Sequence, residues 1–110
     1  MFRLVRNEKL DHKEIEAVKV YENDYYSLRI FYYKNGYISK DLRKNIEGKS
    51  DCYTPHLHLE ENNNFLVEEI TIETCSYGSM NSEEIQRIIE GYQIAIESVR
   101  ELKEIVKCML

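Results

Sequence analysis

The last quarter of the chain carries a hydrophobic rhythm that only a helix can satisfy. Ile85, Ile88, Tyr92, Ala95, Val99, Leu102 and Val106 recur at alternating spacings of three and four, and Ile89, Ile96 and Leu110 widen the stripe to one side. Asn81 can accept from a free helix N–H, and Glu84 follows three residues later as in a capping box. Met80 and Ile85 are spaced for a hydrophobic staple. Glu83 and Glu84 in the first turn and Lys107 near the end suit the helix dipole. These signals predict a helix over residues 81–107. Its outer face is polar: Gln86, Arg87, Glu90, Gln93, Glu97, Arg100, Glu101 and Lys103. Gly91 costs ~1 kcal/mol relative to Ala in such a position. With Ala95 and Ser98 it forms a small-residue strip that admits another backbone, either the chain's own sheet or a helix across a dimer.

Upstream the period changes to two. Phe2 to Arg6, Glu14 to Tyr21 and Tyr25 to Lys34 read as strands, the last with Tyr26, Leu28, Ile30 and Tyr32 on one side. Lys34-Asn35-Gly36-Tyr37 is a two-residue hairpin signal, because Asn-Gly supplies the positive φ angles of a type I′ turn. In that register Tyr33 faces Ile38 and Phe31 faces Lys40 over a strand from Tyr37 to Leu42. Both faces of the hairpin then carry apolar groups, and a second layer or a second subunit is needed to cover them. Arg43 to Pro55 reads as a polar, mobile loop. His56 to Glu60 and Phe65 to Cys75 read as the last strands, with Leu57, Leu59, Ile70 and Ile72 inward. Several strands followed by one helix mean an α+β fold: an antiparallel sheet of about five short strands over residues 1–77, with the helix packed on it. A helix of this length runs ~39 Å at ~1.5 Å per residue, whereas five strands side by side span only ~24 Å. The excess favours a homodimer.

At 110 residues there is room for one domain, 1–110. The first residues are interrupted by charge too soon for a signal peptide, and no apolar run reaches the ~18 residues of a membrane span. The expectation is a cytoplasmic protein. Cys52, Cys75 and Cys108 form no close pair and read as free thiols. Net charge is −5, unevenly spread. From Arg29 to Ser50 six basic residues stand against two acids, whereas from Glu60 to Glu104 eleven glutamates face three bases. The acidic half would repel nucleic acid, which argues against a specific nucleic-acid binder, and would suit a basic protein surface.

Catalytic motifs are missing from the sequence. There is no nucleophile–base order, glycine-rich phosphate loop or Cys-x-x-Cys, and the adjacent pairs Glu68-Glu69 and Glu83-Glu84 diverge instead of facing one substrate. The reading is a non-enzyme with no cofactor. His56 and His58 share one side of a strand, with Cys52 and His12 as further donors, but the paired Cys-x2-4-Cys or spaced His ligands of structural zinc sites are not there and no metal is expected. Nine tyrosines with no tryptophan exceed what one small core needs. Tyrosine is rigid, apolar on its face and polar at its tip, so Tyr37 and Tyr53 beside Lys40, Arg43, Lys44 and Lys49 could stack a base while the cations meet phosphate.

At Thr74-Cys75-Ser76-Tyr77-Gly78-Ser79-Met80 and the following Glu84 to Tyr92 the chain resembles small accessory proteins of phages and prophages in low-GC Gram-positive bacteria. The likeness covers about the last third and lies in a strand-to-helix junction. It implies a context in which such proteins are often counter-defence factors, acting in the cytoplasm of the host cell. Some are anti-CRISPR inhibitors that bind a host defence protein directly, and others are sponges that sequester a cyclic-nucleotide signal. Three expectations follow. The leading one is an inhibitor binding a CRISPR nuclease through Glu90, Glu97 and Glu101. The alternative is a sponge for a small nucleotide signal, using Arg43, Lys44, Lys49, Tyr37 and Tyr53. The third is a phage structural or assembly protein.

Overall fold

The period-two segments fold as an antiparallel meander. In the computed structural model, which describes residues 1–108, β1 (Arg3–Lys9), β2 (Ile15–Glu22), β3 (Tyr26–Tyr33) and β4 (Ile38–Lys44) pair in chain order. β5 (Leu57–Glu61) and β6 (Val67–Ile72) form a second, two-stranded sheet, and α1 (Ser82–Lys107) completes an α+β fold. The expected single sheet of about five strands is therefore six strands divided four and two. β4 and β5 lie alongside each other without a hydrogen-bonded ladder. The Lys40 ammonium joins the two sheets instead. Its side chain is 5% exposed, and it donates to the carbonyls of Ile38 (3.1 Å) and Phe65 (3.0 Å) and to Glu61 Oε2 (3.3 Å).

The β3–β4 hairpin differs from its expected register by one residue. Tyr32 pairs with Ile38, Phe31 with Ser39 and Ile30 with Lys40. The connection is a three-residue loop: Gly36 N–H donates to the Tyr33 carbonyl and Tyr33 N–H to the Tyr37 carbonyl. Gly36 alone takes a positive φ there, +92°, while the Asn35 carboxamide accepts from Tyr37 N–H. A type I′ turn needs positive φ at both central residues, and Asn35 bonds its own turn instead. The slip moves every β4 side chain to the opposite face. Ile38, Lys40 and Leu42 now join the Leu28–Ile30–Tyr32 side, and Ser39, Asp41 and Arg43 lie on the other.

Arg43 to Pro55 were expected to form a mobile loop, yet Arg43 and Lys44 end β4 and the residues after them are held at several points. Asn45 N–H donates to the Tyr25 carbonyl and Lys49 N–H to the Asp24 carbonyl, and the buried Tyr26 hydroxyl donates to the Pro55 carbonyl at 2.6 Å. Thr54 and Pro55 are buried.

One core spans all three units. Tyr26, Leu28 and Ile30 of β3, Leu57 of β5 and Ile70 of β6 meet Ala95, Val99, Leu102 and Val106 of the helix. The capping box is formed: Asn81 Oδ1 accepts from Glu84 N–H, and the Glu84 carboxylate from Asn81 N–H. The face that α1 buries, however, is turned about 50° from the centre of the apolar stripe, at about 100° per residue. Gly91, Ala95, Ser98, Val99, Leu102 and Val106 are the buried positions. The small-residue strip thus meets the chain's own structure, since a Cβ built at Gly91 would lie 2.4 Å from the Tyr53 carbonyl oxygen. Leu110 lies outside the described residues.

Candidate functional site

Rotation of the helix leaves two lines of side chains on its free surface. The first is apolar. Ile85, Ile89 and Ile96 are 47%, 45% and 44% exposed, and Tyr92 is half-buried between them. The second is acidic. Glu83, Glu90, Glu97 and Glu104 recur every seven residues, and all four are exposed. Two turns of helix separate each from the next by ~10.5 Å, so the row extends ~31 Å along a straight axis. Glu90 accepts from Gln86 Nε2 and Glu104 meets Lys107 at 3.6 Å, both within the helix. Among the described residues no cation from elsewhere in the fold neutralises the row.

Glu101 was expected to join this surface, but the fold uses it. Its Oε1 accepts from Phe2 N–H at 3.0 Å, tying the first strand to the helix. It stands on the acidic side one residue before the buried Leu102, which brings it within reach of the sheet.

The residues expected to hold a small ligand are scattered. Lys49 and Tyr53 share a shallow cavity of about 120 Å³ with Tyr25, Arg87 and Glu90. There the Arg87 guanidinium sits 4.4 Å from the Tyr53 ring centroid and meets Asp51 Oδ2 at 3.1 Å. Burial alone would push the Asp51 carboxyl up. The N–H of Tyr53, the Arg87 guanidinium and the Thr54 hydroxyl together hold it below the usual carboxylate range. Lys49 faces Asp24 at 3.7 Å. Arg43 and Lys44 border a different cleft, between β4 and β5, of about 680 Å³. Arg43 pairs with Asp41 across 2.5 Å, and Lys44 donates to the Asp51 carbonyl. Lys40, expected to be free for phosphate, is occupied by the acceptors already described.

Tyr37 stands apart from all of these, in an aromatic cluster at the hairpin tips. Its ring lies 5.4 Å from Tyr33 and 5.3 Å, edge-on, from Phe65. Phe65 is held at φ +61° by the turn that closes the β5–β6 hairpin and is 54% exposed. Lys13, Lys34 and Tyr33 line a cavity of about 480 Å³ on the near side of Tyr37. The sequence signal for this cluster was the run of aromatic residues around Asn35-Gly36. Phe65 could not be assigned to it without the packing of the two hairpins.

The histidines do not converge. His12 Nδ1 accepts from the N–H groups of Glu14 and Ile15 in its own turn, and His58 faces Glu73 at 3.9 Å. Among the described residues no group of three metal-ligating side chains comes together. Cys52, Cys75 and Cys108 are exposed free thiols. Among the described residues no helix is long and apolar enough to cross a membrane.

No protein-family model matches the chain, and neither a curated protein nor a solved structure matches it.

Proposed function

We propose that the protein is a non-enzymatic counter-defence binder, a stoichiometric inhibitor of the anti-CRISPR type that docks on a host defence nuclease. One observation carries this reading: the row Glu83, Glu90, Glu97 and Glu104, evenly spaced and exposed on a helix anchored to its sheet. A rigid line of carboxylates presents to a basic channel what a nucleic-acid backbone presents, a regular array of negative charge. Opposite charge steers such an encounter and sets its register. The adjoining Ile85–Ile89–Ile96 ridge supplies apolar area beside the charge.

The test is plaque formation by a CRISPR-sensitive phage on an immune host producing the protein. It is run beside competition between purified protein and guide-loaded effector for target DNA. Glu90→Lys with Glu97→Lys should abolish protection and competition, and rising salt should slow association, since screening acts over ~10 Å at ~0.1 M. Lys44→Ala with Lys49→Ala should leave both intact. Failure of folded protein to protect against any effector tested overturns the reading and favours an assembly role.

A second reading, capture of a small nucleotide signal, draws on the exposed Tyr33–Tyr37–Phe65 cluster beside Lys13 and Lys34. Bound nucleotide in the purified protein, lost in Tyr37→Ala, would favour it.

A further inference from the structure

We infer that β1 is the contact between two copies of this chain, joined edge to edge as antiparallel strands about a two-fold axis through Asn7. β1 lies at the edge of the four-stranded sheet, and all seven of its residues are exposed. Among the described residues it has one hydrogen-bonded neighbour, β2. Its free edge is fixed residue by residue. Leu10 N–H donates to the Glu16 carbonyl at 2.9 Å, so in the ladder that continues through Glu8–Val18 and Arg6–Val20 these alternate residues bond to β2. Asn7 and Lys9 lie between them and aim their N–H and C=O groups outward. Val5 is the residue that the bulge leaves without a partner on β2. An open row of backbone donors and acceptors is a template for another strand.

Charge selects the occupant and its register. Arg6 lines up with Val20 and Arg29, and Glu8 with Val18 and Phe31, which puts both on the sheet face turned away from α1. There they pair with each other, so each copy shows a plus and a minus side by side along its edge. Centred on Asn7, an antiparallel copy sets Arg6 against Glu8 of the other copy and Glu8 against its Arg6. The two pairs close into a ring of alternating charge. The two Asn7 residues then exchange both backbone hydrogen bonds, and Val5 meets Lys9, whose aliphatic stem covers it. Centring the contact on Arg6, Glu8 or Lys9 instead sets like charge against like charge, which destabilises a strand pair. A bulge and charged side chains blunt an edge toward other strands, whereas here the charges match their own copy. The axis stands normal to the sheet, so the contact is isologous and closes at two copies, with both helices and their acidic rows on one face. It is independent of the proposed inhibitor role: a monomer that still protects would remove this inference alone.

The experiment is native mass spectrometry with light scattering across a protein dilution series, each variant checked by circular dichroism. Wild type should be a dimer that dissociates on dilution. Asn7→Pro should give a folded monomer, because proline is tolerated where an edge N–H faces solvent and takes away the donor that a second copy needs. Arg6→Glu should weaken the dimer about tenfold, since two cross-strand pairs change sign at once. Adding Glu8→Arg should restore most of the loss, because opposite signs meet again with their order reversed. Should Asn7→Pro fail to fold, the Arg6 and Glu8 variants, both at exposed positions, carry the test. A wild-type monomer at every concentration overturns the inference. So does a dimer indifferent to both Asn7→Pro and Arg6→Glu, or a charge swap that fails to rescue.

Discussion

The Asn23 carboxamide donates to the Ser98 hydroxyl at 3.0 Å, and both residues are buried. This bond ties the β2–β3 turn to the middle of the helix. The other end of the same carboxamide organises the turn itself, since Asn23 Oδ1 accepts from the N–H groups of Tyr25 and Tyr26. One side chain therefore sets both a tight turn and the docking of α1. Ser98→Ala leaves a buried donor unpartnered and should cost about 1–3 kcal/mol. Asn23→Ala removes the turn acceptor as well and should cost more. Urea unfolding of the two variants checks the order; a Ser98→Ala variant as stable as wild type would show the bond to be dispensable.

Gly91→Ala reverses the usual sign of that substitution. In an open helix it would stabilise by ~1 kcal/mol. Here the new Cβ would stand 2.4 Å from the Tyr53 carbonyl oxygen, a backbone atom that moves only if the 51–55 segment moves. The expected outcome is a lower melting temperature and easier proteolysis within that segment.

The rotation of α1 separates two sets of apolar residues that look alike in sequence. Leu102→Asp buries an unpaired charge at a site with 0% exposure and should prevent folding. Ile96→Asp, at a site 44% exposed, should retain native secondary structure by circular dichroism. Equal loss of structure in both would place the buried face at the centre of the stripe.

Asp51 gives the loop a pH dependence. Its folded carboxyl is held below the ordinary range, so its stabilising effect is present above the unfolded value of about 3.9 and is lost as pH falls through the folded one. Asp51→Asn should therefore be less stable than wild type at neutral pH, and the two should converge in acid. Both partners are about half exposed, so the difference is small and screened by salt. Thermal melts at neutral and acid pH, at low and high salt, measure it.

Much of the architecture was legible because it rests on local rules. The capping box at Asn81 and Glu84, the alternation of Tyr26, Leu28 and Ile30, and the turn at Asn35-Gly36 each carry their signal within a few residues. The hairpin register was not legible. Asn-Gly suits two loop lengths, and the choice depended on where Asn35 placed its own hydrogen bond. Of the expected site residues, Glu90 and Glu97 stand exposed on the helix as a polar face should. Glu101 does not, because Phe2, 99 residues away in sequence, takes its carboxylate. Arg43, Lys44, Lys49, Tyr37 and Tyr53 are polar or aromatic residues on three different surfaces, and sequence proximity does not bring them together.

The amino-acid order by itself determined that the chain makes antiparallel strands and then one capped helix, since hydrophobic period and capping act over a turn or a pleat. Only the tertiary structure decided which side of that helix is buried. Side chains compete for the sheet through volume: the Gly91–Ala95–Ser98 edge lets α1 approach the Tyr53 backbone and the Asn23 side chain, where the isoleucine edge would hold it off. Close packing favours the nearer approach. The isoleucines are left outside, where they and the glutamate row become the surface available to a partner.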